Sequence, residues 1–92
     1  MGREQSLKPH DVILYPLMTE RSVSMIENEN KLVFVVSIKA DKDDIARAVR
    51  ELYDVEAENV RTLIDREGKK RAFVKIKSGY NASDIAIRLG IL

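Results

Sequence analysis

Residues 69–77, KKRAFVKIK, carry five lysine or arginine side chains, no acid and one aromatic ring. If this stretch is a strand, successive side chains face opposite ways. Ala72, Val74 and Ile76 then take one face, while Lys69, Arg71, Phe73, Lys75 and Lys77 take the other. Cations repeating about every 6.6 Å suit the neutralisation of phosphates, and a ring among them can stack on an unpaired base. A second reading stays open, because such a charged row also protects an exposed sheet edge from pairing with other chains. Lys70 falls in the apolar register, so it belongs at the strand end or in the turn. Arg61, which alternates with Val60 and Thr62, extends the basic row onto the preceding strand if it faces outward. Arg21, Lys31, Lys39 and Lys42 are scattered, and singly they read as solvated charges. The candidate RNA-contacting set is Lys39, Lys42, Arg61, Thr62, Lys69, Lys70, Arg71, Phe73, Lys75 and Lys77.

Other chemistry finds little support. Cysteine is absent, which excludes a disulfide framework and a thiolate metal site. His10 is the only histidine and stands in a polar segment without a partner, and Ser22 and Ser24 have no base near them in sequence. Asp41-Lys42-Asp43-Asp44 has the wrong spacing for a calcium loop and reads better as the capped start of a helix. No phosphate-binding loop, dinucleotide fingerprint or zinc-protease motif occurs. The expectation is a protein that is not an enzyme and holds no metal or cofactor.

The 92 residues bound the elements that position these groups to one modest core. Net charge is only +1, with an acidic stretch over 41–68 opposed by the basic one over 69–77. No apolar run reaches the roughly 20 residues of a membrane span, and residues 1–9 read as a flexible polar leader without the apolar segment of a signal peptide. A cytoplasmic location is expected, with residues 10–92 forming a single RNA-binding domain.

Along the chain, Val12-Ile13-Leu14 suggests a short strand ended by Pro16. Thr19 can cap a helix from Glu20 to about Glu29, and Asn28 to Asn30 closes it. Lys31 to Ile38 is a β-branched strand. Asp41 caps a second helix with Ile45, Ala48, Val49 and Leu52 at helical spacing. Val60–Ile64, a turn at Asp65–Gly68 and Lys69–Lys77 form a hairpin. Asn81 is the expected cap of a last helix, with Asp84 in box position and Gly90 as its stop. The fold class is α+β, a small antiparallel sheet packed with helices in layers, in the order β-α-β-α-β-β-α.

Several blocks together resemble the ribosomal protein L23 family of the large subunit. Pro16-Leu17-Met18-Thr19-Glu20-Arg21 is similar to the family opening, and Asn30-Lys31 to its "NK" before an apolar strand. The second-helix pattern from Ala40 through Ile45, Ala48, Val49, Leu52 and Tyr53 to Val55, then Val60-x-Thr62 and Lys70 to Ile76, follow in order. Gly79-Tyr80-x-Ala82 resembles the archaeal ending, and the short turn after Asp65 lacks the long arm of bacterial members. The match spans residues 12–92. Asp41 stands where the family has Thr or Asn, and Arg61 where it has Asn.

The resemblance implies a structural constituent of the large ribosomal subunit that binds rRNA near the polypeptide exit tunnel. The implied partners are rRNA, neighbouring ribosomal proteins, the signal recognition particle and nascent-chain-associated factors, with no membrane and no small-molecule substrate. Glu20 and Arg21 match the family position that receives such factors. Two other classes compete. A free-standing RNA-binding module would bind short single strands alone, and a small-molecule regulatory or acylphosphatase-like domain would bind anions without RNA.

Overall fold

Residues 8–92 are described by a computed structural model, in which the two longest helices start where the sequence supplies a cap. Thr19 Oγ1 accepts the Ser22 N–H at 3.1 Å and Ser22 Oγ accepts the Thr19 N–H at 2.8 Å, opening α2 (Glu20–Glu29). The Asp41 and Asp44 carboxylates exchange the same pair of bonds at the start of α3 (Lys42–Tyr53). The remaining elements are α1 (Pro9–Val12), β1 (Ile13–Pro16), β2 (Lys31–Val36), β3 (Ala57–Ile64), β4 (Lys70–Ile76) and α4 (Ala82–Leu89). Among the described residues, no helix is long and apolar enough to cross a membrane.

The strands form one antiparallel sheet in the order β1-β2-β4-β3. Register sorts its side chains. Leu32, Val74 and Val60 line up across three strands, as do Phe34, Ala72 and Thr62. These rows face the main core, where Phe34, Ala72 and Val74 have no exposed surface. Ile45 and Val49 of α3 and Ile85 and Ala86 of α4 pack into the same cluster. The Phe34 and Tyr53 rings stack there with centroids 6.0 Å apart.

Differences from the sequence reading have local causes. The order begins with a helical turn, α1, that was not expected; Pro9 at its first position is the signal that marks it. It takes Val12 out of the expected strand, so β1 runs from Ile13 to Pro16, where an edge position tolerates the missing proline N–H. Of the expected leader, 1–9, residues 1–7 lie outside the described residues, and Pro9 belongs to this turn. β2 stops at Val36 instead of Ile38, because Ser37 Oγ accepts the Lys39 N–H at 3.2 Å and turns the chain toward α3. β3 starts early, at Ala57, through an irregularity before Asn59.

The cap of α4 comes from a residue distant in sequence, not from the expected Asn81. Asn81 makes no side-chain cap bond. Asn30 Oδ1, from the far end of α2, accepts the Ala82 N–H at 2.7 Å in its place. The Asn30 amide also donates to the carbonyls of Ile76 at 3.1 Å and Tyr80 at 3.0 Å. One side chain therefore joins the end of α2 to the β4–α4 connection.

Candidate nucleic-acid interface

The sheet face turned away from the main core carries three cross-strand rows. Val35, Arg71 and Leu63 form one, Val33, Phe73 and Arg61 the next, and Lys31, Lys75 and Asn59 the third. Strands lie about 4.8 Å apart and alternate residues about 6.6 Å apart, so this is a patch a few nucleotides across. Phe73 sits at its centre, partly buried.

β4 hydrogen-bonds to β2 on one side and β3 on the other. It is an interior strand, and that overturns the edge-protection reading of its charges: an interior strand has no free edge to guard.

Two elements raise walls beside the patch. β1 covers only the far half of β2; the connection after it continues the pairing, the Leu17 N–H donating to the Val33 carbonyl at 2.9 Å, and α2 then packs against β2. Arg21, Met25 and Glu29 of α2 face Arg61 and Leu63 of β3 across a groove of about 400 Å³, with Phe73 among its lining. The Lys75 ammonium donates to the Glu29 carbonyl at 3.0 Å, which fixes the C-terminal end of α2 against β4. Among the described residues, the charged lining side chains are Arg21, Lys31, Arg61 and Lys75, with Arg71 in the adjoining recess, against the single acid Glu29. Glu29 is paired with Lys31 at 3.2 Å.

Arg71 is held by Asp65, whose Oδ2 accepts from its Nε at 3.1 Å. Hydrogen bonds from the Lys69 and Glu67 N–H groups, with the Arg71 guanidinium, hold the Asp65 carboxyl below its ordinary value. Asp65 thus closes the short β3–β4 turn and leaves the other Arg71 N–H groups free to meet an anion.

The candidate residues separate in this frame. Arg61, Arg71, Phe73 and Lys75 come together on the outer face. Lys69, exposed in the turn, pairs with Glu67 at 3.7 Å, and Lys77, past the end of β4, with Glu56 at 3.7 Å. Thr62 borders the groove but lies opposite buried Ala72, in the register of the helix-covered face. The Lys70 ammonium donates to the Ala40 carbonyl at 2.6 Å, away from the groove, and ties β4 to the approach to α3. Lys39 is in the turn after β2, and Lys42, on α3, borders a shallow cleft against β3, so neither belongs to the groove.

Glu20 is exposed at the first position of α2. Arg21, grouped with it for docking, lines the groove wall. Sequence reasoning missed Arg21, Lys31 and Met25 as groove residues. The four-residue spacing of Arg21, Met25 and Glu29 on one helical face was the available signal.

The family model described as ribosomal protein L23 matches residues 11–84. The chain is 48% identical over 81 residues to the large ribosomal subunit protein uL23 of Methanococcus aeolicus, covering 88% of this chain and 94% of that relative. It is 47% identical to the protein of the same name from Methanococcus maripaludis, with the same coverage.

Proposed function

The chain belongs to the ribosomal protein L23 family, in its archaeal form, and on that premise we propose that the outer sheet face anchors it to rRNA near the polypeptide exit. It is a structural, non-enzymatic constituent of the large ribosomal subunit, located on the cytoplasmic ribosome with rRNA and neighbouring ribosomal proteins as partners. The observation that supports the anchoring surface is the interior position of β4, whose outward row of Arg71, Phe73 and Lys75 has no role in protecting an edge. Neither Arg21 nor Arg61 forms an ion pair among the described residues, so both are available to phosphate.

The four groove cations and Arg71 of the adjoining recess, meeting phosphates, imply a log–log salt slope of roughly −3 to −4, taking the single-strand coefficient of about 0.7 per contact. Arg61→Ala and Arg71→Ala should each bring the slope closer to zero by about 0.7 when binding to a cognate rRNA fragment is titrated across salt. Slopes equal to the parent's in both variants would rule out phosphate contact by this face.

The second part of the proposal concerns docking of the signal recognition particle and nascent-chain factors at Glu20. Glu20 is exposed on the first turn of α2, and Glu27, two turns along, is exposed as well. An acidic helix on a protein held to RNA by another face suits a partner that presents Lys or Arg. Glu20→Lys should leave rRNA binding unchanged or slightly stronger, and weaken factor recruitment to assembled subunits in a way that fades as salt rises. Recruitment at parental affinity in low salt would reduce Glu20 to a helix-end charge.

A further inference from the structure

We propose that the groove between α2 and β3 receives a single unstacked nucleotide of the bound RNA, with its base lying against Phe73. This deepens the RNA-binding reading and rests on it. Among the described residues Phe73 is the only aromatic side chain lining the groove, and it stands at the centre of the patch between Val33 and Arg61. Met25 of α2 and Leu63 of β3 add apolar surface on either side. A volume of about 400 Å³ lies in the range of pockets that hold one small ligand.

Cations stand in the rows before and after the ring: Arg71 on one side, Lys31 and Lys75 on the other. The two flanking rows are separated by about four strand residues, or roughly 13 Å. Two backbone steps of an extended strand cover that separation, so the two rows can meet phosphates upstream and downstream of an extruded nucleotide while its base occupies the middle row. Arg21 and Arg61 reach the groove from opposite walls without ion-pair partners among the described residues, and planar guanidinium groups can bond a base edge or stack on it.

The choice of occupant follows from the ring. A-form duplex is bound through phosphates and 2′-hydroxyls and would leave an aromatic floor unused. An acidic peptide would satisfy the cations but has no flat partner for Phe73. An unpaired base satisfies both.

Three synthetic RNA hairpins separate these possibilities: one fully paired, one with a single bulged adenosine, and one with an abasic residue at the bulge. The full chain should bind the adenosine bulge roughly tenfold to a hundredfold more tightly than either of the others, the range of one base–aromatic stack. Phe73→Leu should collapse that advantage while keeping the salt slope and the thermal transition of the parent, and Phe73→Tyr should restore it. Equal affinity for the adenosine and abasic bulges would overturn the proposal and leave the RNA-binding reading standing. So would an undiminished preference in Phe73→Leu, or a polyglutamate peptide bound with the same dependence on Phe73. No salt-dependent binding to any hairpin would remove the RNA-binding reading, and this proposal with it.

Discussion

Asn30→Ala should lower the stability of the protein by about 3–4 kcal/mol, from a total on the order of 5–10 for a domain of this size. Two effects add. The side chain makes three hydrogen bonds, to Ile76, Tyr80 and Ala82, and each contributes on the order of 1 kcal/mol net. Asn30 is also a left-handed residue, at φ 54° and ψ 40°, a conformation that asparagine tolerates and that costs alanine roughly 1 kcal/mol more. Asn30→Gly separates the two, since it relieves the backbone and still loses all three bonds. It should fall about 1 kcal/mol short of the alanine variant's loss. Denaturant midpoints at constant m-value measure both. An alanine variant within 1 kcal/mol of the parent would show that this tie is incidental.

Ile85→Ala should be comparably severe, at about 3–4 kcal/mol, because Ile85 is fully buried in the main cluster and the space it leaves is enclosed. Removing residues 81–92 goes further. It takes away Ala82, Ile85 and Ala86, all fully buried, together with the partly buried Leu89 and Ile91. Apolar surface on β2 and α2, against which α4 packs, would then face water. The truncated chain should show no cooperative thermal transition. Leu89→Ala should cost less than Ile85→Ala, since Leu89 is only partly buried. A truncated protein melting sharply near the parent's temperature would contradict this account of the core.

The sequence made local structure legible because local rules decide it. Thr19 and Asp41 mark helix starts through their own hydrogen bonds, so α2 and α3 begin where expected. The alternation of Ala72, Val74 and Ile76 with Arg71, Phe73 and Lys75 assigns the two faces of β4 without any partner strand. What remained hidden depends on contacts between distant residues. Whether β4 is an edge or an interior strand follows from the order β1-β2-β4-β3, which no period in the sequence encodes. Lys70 looks like its neighbouring cations until the Ala40 carbonyl is found beside it. Asn30 is legible as a helix terminator, yet its bonds to residues 76, 80 and 82 exist only in the folded chain. Arg21 reads as part of an exposed helix start. It joins the groove because α2 takes the place along β2 that β1 leaves open.

We propose that the outer sheet face holds this protein on the large subunit. The direct measurement is gradient sedimentation of a tagged second copy expressed beside the native protein. Two variants are compared: Arg61→Glu with Arg71→Glu, which reverses the groove, and Arg50→Glu, which reverses an exposed charge on α3. Both must retain the parental thermal transition. The Arg50 variant should travel with large subunits like the parent, while the groove variant should stay at the top of the gradient. Each lost phosphate contact is worth about 1 kcal/mol at 0.1 M salt, and the two added acids repel the backbone, so affinity should fall on the order of a hundredfold or more. A groove variant that sediments with large subunits as fully as the parent would show that this face does not anchor the protein.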